Sequence, residues 1–149
     1  MTTKKLTSLL ATTLFCTLLT AQTPIVGDWI TVDDETGLQF SVVSIYQASD
    51  GLYYGDIKEI LYKVEDPELL LCTLCKGEDY KKPMEGLTII RGMHLKDGEL
   101  RGGRVLDPNN GKFYYGKIYV NKEGNLVLRG SIDKAGILGR SQTWLPKVN

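Results

Sequence analysis

Leu106-Asp107-Pro108-Asn109-Asn110-Gly111-Lys112-Phe113-Tyr114-Tyr115-Gly116-Lys117-Ile118 is a turn cluster running directly into a tyrosine-rich segment. Asn-Gly supplies the positive φ that a tight turn between twisted strands requires, and Phe, Tyr and Ile suit a pleated, half-buried surface. An earlier stretch, Asp50-Gly51-Leu52-Tyr53-Tyr54-Gly55-Asp56-Ile57, repeats the order of turn, Gly, apolar residue, Tyr-Tyr-Gly, charge and Ile. Two strands that begin alike in distant parts of the chain point to an all-β protein.

The same punctuation continues on both sides. Pro24 to Val32 reads as a first strand, ended by Asp33-Asp34 and Thr36-Gly37. Leu38 to Tyr46 alternates and then slips phase at Val42-Val43, the mark of a bulge or a strongly coiled strand. Further strands are predicted over Leu52 to Ile60, Gly86 to Leu95, Glu99 to Leu106, Lys112 to Val120, Leu126 to Ile132 and Leu138 to Leu145. From residue 61 to 86 the pattern breaks, and Asp66-Pro67-Glu68 has the order of an N-cap followed by a first-turn proline. A short helix over Pro67 to Cys75, or an irregular insertion, is expected there. Roughly eight strands with turns about every 8 to 14 residues are the spacing of a sandwich or barrel rather than of βαβ units. Gly55, Gly102, Gly103, Gly116, Gly130 and Gly139 lie in or beside these strands, each at a cost of roughly 0.5 to 1 kcal/mol in chain entropy. Tight coiling into a small antiparallel β-barrel would offset that cost, so the barrel is favoured and a sandwich is the alternative.

The N-terminus is set apart. Lys4 and Lys5 precede an uncharged, leucine-rich run from Leu6 to Leu19, then Thr20-Ala21-Gln22. This reads as a signal peptide, residues 1–21, with cleavage after Ala21 and a single domain over 22–149. The apolar run would span about 21 Å as helix, short of the roughly 30 Å of a bilayer core, so a permanent span is the weaker reading. Cys16 sits in that run behind bulky Phe15, a poor lipoprotein site, and would leave with the signal. Residues 22–149 then hold 16 basic and 18 acidic side chains. No basic cluster interleaved with aromatics recruits nucleic acid.

Several stretches together resemble a family of uncharacterised exported bacterial proteins, domain of unknown function 2147. They are Gly27-Asp28-Trp29 with Asp33-Asp34, Asp50 to Gly55, Cys72-Thr73-Leu74-Cys75-Lys76-Gly77, Leu106 to Lys112, Arg129-Gly130, and Gly139-Arg140-Ser141-Gln142-Thr143-Trp144. The resemblance implies a one-domain exported protein and brings no activity or catalytic residues. A looser similarity is to lipocalin-like barrels, which open on a Gly-x-Trp strand and lay a late arginine across the tryptophan. It implies a barrel-closing set of Gly27, Trp29 and either Arg129 or Arg140, with a cation–π contact of about 0.5 to 2 kcal/mol. The plainer reading makes Trp29 and Trp144 large core residues.

Cys72 and Cys75 form a C-x-x-C, open to three uses. An exported chain favours a disulfide; a thiolate helped by Lys76 would serve redox chemistry; zinc would need four ligands, and the one histidine is His94. No metal or other cofactor is expected. His94 lacks a companion nucleophile in sequence, and the chain carries no Gly-x-Ser-x-Gly, His-Glu-x-x-His, phosphate-loop or dinucleotide motif. Asp33, Asp34 and Glu35 lack the spacing of an EF-hand, and Asp107 before Pro108 suits a capped turn.

Each Tyr-Tyr pair puts one ring on each face of its strand. An open barrel would line an amphipathic cavity with Tyr54, Phe113, Tyr115 and Trp144 as the candidates, whereas a filled one would make the inner rings core. The expected function is an exported, non-enzymatic barrel holding a small apolar or amphipathic ligand. The alternatives are an envelope interaction module using outer tyrosines, and a thiol-disulfide-active protein.

Overall fold

The computed structural model describes residues 24–148. The expected signal segment, with Cys16 and cleavage after Ala21, lies outside the described residues. The strands are β1 (Gly27–Val32), β2 (Gln39–Gln47), β3 (Tyr53–Ile60), β4 (Thr88–Lys96), β5 (Glu99–Asp107), β6 (Lys112–Val120), β7 (Leu126–Ser131) and β8 (Gly139–Pro146). Each pairs antiparallel with the next. β8 returns to β1 through Trp29 opposite Pro146 and Ile30 opposite Leu145, closing the barrel. Closure leaves no strand at the free edge of a sheet, although β1 and β8 pair through two residues each, and decides for the barrel over the sandwich. β2 and β3 shift register between Val42 and Val43, where the sequence alternation slips, and both valines are buried.

The up-and-down order sorts the connections between two ends. The turns 48–52, 97–98 and 121–125 gather at one end, the short-turn end, with both termini of the described chain; the three long segments 33–38, 61–87 and 132–138 gather at the other, with the turn 108–111. The short-turn end is filled. Ile45, Met93, Leu100, Ile118 and Leu126 are buried there, and Ile25 joins the same cluster from just before β1. Its carbonyl accepts the Trp29 indole N–H at 2.9 Å, so the one polar atom of that ring is satisfied inside the core.

Both Tyr-Tyr-Gly segments face the same way: first tyrosine and glycine inward, second tyrosine outward, as period two dictates. A Cβ on Gly55 would fall 2.8 Å from Ile90 Cδ1, and one on Gly116 2.7 Å from Val105 Cγ2. These glycines therefore serve the close approach of large inward side chains from neighbouring strands, beyond any help they give to coiling.

The insertion between β3 and β4 contains no α-helix. Pro67–Leu70 is a 3₁₀ turn whose cap, Asp66, accepts the Glu68 N–H at 2.9 Å, and Gly77–Asp79 is a second. The helix expected to run to Cys75 ends early because Leu71 bridges to Pro83 and the Cys72 N–H donates to the Lys82 carbonyl at 2.8 Å, turning the chain back on itself. The Cys72–Cys75 disulfide closes this return, with Cα atoms 5.3 Å apart. It rests on the β5–β6 turn: Gly111 has φ +67°, and a Cβ there would lie 1.8 Å from the Leu74 carbonyl oxygen. Asp79 adds a 2.9 Å ion pair to Arg91 on the outer face of β4. That outer face also carries the pairs Asp28–Lys58, Glu59–Lys147 and Glu99–Lys117, the opposite of the apolar band of a lipid-facing barrel.

Candidate functional site

At the long-loop end the barrel stays open around a cavity of about 610 Å³, within the range of small-molecule sites. Its floor is apolar. Ile57 from β3, Ile89 from β4, Val105 from β5, Leu128 from β7 and Trp144 from β8 line it, and all five are buried. Alternation along each strand delivers them inward, and together they seal the cavity from the filled half.

Polar groups stand above this floor in three clusters. Thr31 and Ser41, opposite each other on β1 and β2, share a hydroxyl–hydroxyl hydrogen bond of 2.8 Å. Gln142 Oε1 accepts the Trp144 indole N–H at 3.3 Å, which leaves the amide N–H₂ of Gln142 for a guest. On β6, the Tyr114 hydroxyl accepts from Asn110 Nδ2 at 3.0 Å, and the same amide donates to Asp107 Oδ2 at 2.8 Å. The phenolic proton of Tyr114 has no acceptor among the described residues, so this hydroxyl is a donor facing the cavity.

The mouth combines charge with an apolar rim. Arg140, on the inner face of β8, donates to Asp34 from Nε at 3.3 Å and from Nη2 at 3.0 Å. The neighbouring Asp34 carboxylate, with Glu35 and Asp33 further off, strengthens the guanidinium's hold on its proton. Asp33 accepts from the Thr36 hydroxyl at 2.7 Å, the Thr36 amide at 2.8 Å and the Glu35 amide at 3.2 Å; these bonds, the hydroxyl first, hold its carboxyl below the ordinary range. Phe40 and Tyr62 meet edge to face with centroids 5.7 Å apart, and exposed Ile132 and Leu138 continue the rim. A second, shallower hollow of about 310 Å³ lies outside the barrel between Tyr46, Tyr54 and the insertion. The inner cavity is the larger and the one with an apolar floor.

The residues singled out from sequence do not all converge on this cavity. Trp144 lines it. Tyr54, Phe113 and Tyr115 face outward instead: Tyr54 stacks on Tyr46 at 6.2 Å and donates to Asp50 at 2.7 Å, Arg91 lies 5.1 Å from the Phe113 ring, and Arg104 lies 4.4 Å from the Tyr115 ring. Tyr114, not Tyr115, is the tyrosine of the site. A signal for this existed, because Gly116 makes room inside the barrel and shares a face with the residue two before it.

The barrel-closing set also separates. Gly27 and Trp29 belong to the filled end, with Trp29 opposite Pro146, whereas Arg129 stands opposite Ser141 and Arg140 opposite Gly130. Five residues of β8 amount to about 17 Å, so neither arginine lies across Trp29. The polar contact of Trp29 is instead an edge one, its indole N–H donating to the Ile25 carbonyl. Arg129 clamps the β7–β8 loop, donating to the carbonyls of Gly136 at 2.8 Å and Ile137 at 3.0 Å. His94 is exposed on the outer face opposite Arg101. Cys72 and Cys75 are buried within the insertion, with 1% and 3% of those residues exposed.

The model of the family described as "Uncharacterized protein conserved in bacteria (DUF2147)" matches residues 27–145. No curated protein matches. Among solved structures, protein HP1028 from the human pathogen Helicobacter pylori, described as belonging to the lipocalin family, is similar with a TM-score of 0.69. The two are 21% identical, over 87% of this chain and 86% of that one. The likeness is one of fold: this barrel is lipocalin-like.

Proposed function

We propose that this chain, which belongs to the DUF2147 family, is a non-enzymatic binding barrel that takes a small apolar or amphipathic ligand through its open end and works after export. The observation that carries the reading is the cavity of about 610 Å³ with an apolar floor and a hydrogen-bonding wall. A guest there would exchange water for Ile57, Ile89, Val105, Leu128 and Trp144, worth about 25 cal/mol for each Å² of apolar surface buried. The Cys72–Cys75 disulfide supports an oxidising destination. Its burial favours a structural bridge over thiol exchange, which needs an approachable sulfur.

Native mass spectrometry of gently purified protein, with titration of an apolar fluorescent probe, tests this. The companion variant is Gly130→Leu. Gly130 lines the cavity, and a Cβ there meets nothing closer than Tyr114 Cβ at 3.4 Å, so a leucine side chain enters the empty space. The expected result is probe binding in the wild type and its loss in a folded Gly130→Leu protein. Absence of both copurified ligand and probe binding in the wild type would refute the reading.

A further inference from the structure

We propose that the cavity selects amphiphiles with an uncharged, hydrogen-bonding head, of the monoacylglycerol kind, and discriminates against fatty-acid anions. This rests on the binding-barrel reading above and concerns the chemistry of the same mouth. An apolar floor beneath a polar wall orients any amphiphile tail-down, which brings its head level with Tyr114, Gln142, Arg140 and the carboxylates around them.

The charge there is lopsided. Asp33, Asp107 and Arg140 are the charged side chains on the cavity wall among the described residues, and Asp34 sits directly behind Arg140. Three carboxylates thus accompany one guanidinium. That guanidinium is already partly neutralised, giving Nε and Nη2 to one oxygen of Asp34. A carboxylate head drawn to the remaining donors of Arg140 would lie beside the Asp34 carboxylate, on a wall that also carries Asp33 and Asp107. Juxtaposed like charges are a strong means of rejecting a partner.

The neutral polar groups present the reverse picture. The Tyr114 hydroxyl accepts from Asn110 and has its own proton to give, and Gln142 accepts from Trp144 and has its amide hydrogens to give. These suit the ester and hydroxyl oxygens of a glyceride head. Asp107 accepts the Asn109 amide at 2.9 Å on Oδ1 and the Asn110 amide on Oδ2, so each oxygen keeps a lone pair for a hydroxyl proton. The Thr31–Ser41 pair can rotate to give or accept. A diol, which both donates and accepts, matches this wall; a carboxylate, which only accepts, does not.

The test is displacement of a cavity-bound apolar fluorophore by monolauroylglycerol and by laurate, which share one acyl chain, at pH 8 and below their aggregation concentrations. Monolauroylglycerol is expected to displace at concentrations about tenfold lower. In Asp34→Asn, which removes the negative charge that neutralises Arg140, the ratio is expected to move toward laurate by about tenfold. Laurate binding as well as or better than the glyceride in the wild type overturns the assignment, and so does a ratio unmoved in a folded Asp34→Asn protein. If the fluorophore does not bind at all, the barrel reading falls and the head assignment with it; if it binds and laurate wins, only the head assignment falls.

Discussion

Gly111→Ala should separate the disulfide loop from the barrel, and the size of the effect can be worked from two distances. Gly111 has φ +67°, a conformation that costs a residue with a Cβ about 1 to 2 kcal/mol. In addition, the new Cβ would sit 1.8 Å from the Leu74 carbonyl oxygen and 2.4 Å from its carbon. Both obstacles are backbone, so no rotamer change relieves them and the two loops must move apart. Gly124 provides the control, with φ +81° and nothing within 4 Å of an added Cβ. Gly124→Ala should therefore show the conformational penalty alone, about 1 kcal/mol, whereas Gly111→Ala should lose about 2 kcal/mol or more beyond that, in the range of strained or overpacked sites. Urea unfolding of the two oxidised variants, fitted with a common slope, gives the difference directly. Equal losses would refute the reasoning, since they would mean that the Leu74 carbonyl does not press on the turn. The same contact props the insertion beside the cavity, because Pro108 and Asn109 of that turn line the mouth, so the larger loss should be accompanied by faster ligand release.

Reducing the Cys72–Cys75 bridge, or replacing both cysteines by serine, should cost about 2 kcal/mol, the small return on so short a loop, measurable as a lowered urea midpoint with the barrel still folded. Trp29→Phe removes the 2.9 Å bond to the buried Ile25 carbonyl and should destabilise by about 1 to 3 kcal/mol in the same assay, with little change in ligand affinity because the filled end lies below the cavity. Stability should also fall on acidification. The Asp28 carboxyl is held below its ordinary value, chiefly by its hydrogen bond from Lys58, and that of Glu99 by Arg101 and Lys117. Groups with lowered folded values contribute fully above about pH 4 and lose that contribution as pH drops through the folded value. Melting curves from pH 7 to pH 3 should show the decline, and a flat profile would contradict it.

Fold class was legible because it depends on local rules. Asn-Gly and Asp-Gly turns, period-two alternation and glycines in mid-strand identified eight strands, and Lys112 to Val120 agrees with β6 to the residue. The helix expected up to Cys75 failed for a non-local reason: the bridge to Pro83 and the hydrogen bond to Lys82 claim Leu71 and Cys72 before a second helical turn can form. Phase was another matter. Alternation says that Tyr114 and Tyr115 lie on opposite faces, and it does not say which is inside; that follows from the register with Val105 and Arg104.

By itself, then, the sequence determined an all-β protein of about eight strands with a C-x-x-C in its one irregular insertion, since turns and strands are written in neighbouring residues; closure and the disulfide came with the tertiary structure. Only the tertiary structure decided that one end is filled and the other open. Whether space remains inside a barrel depends on the summed volumes of side chains from all eight strands, and here Ile25, Trp29 and Met93 fill one end while Thr31, Tyr114 and Gln142 leave the other end accessible. Likewise, only the closure of β8 onto β1 carries Arg140 to Asp34, residues 106 apart in the chain. No local pattern encodes that meeting, and it sets the charge of the mouth.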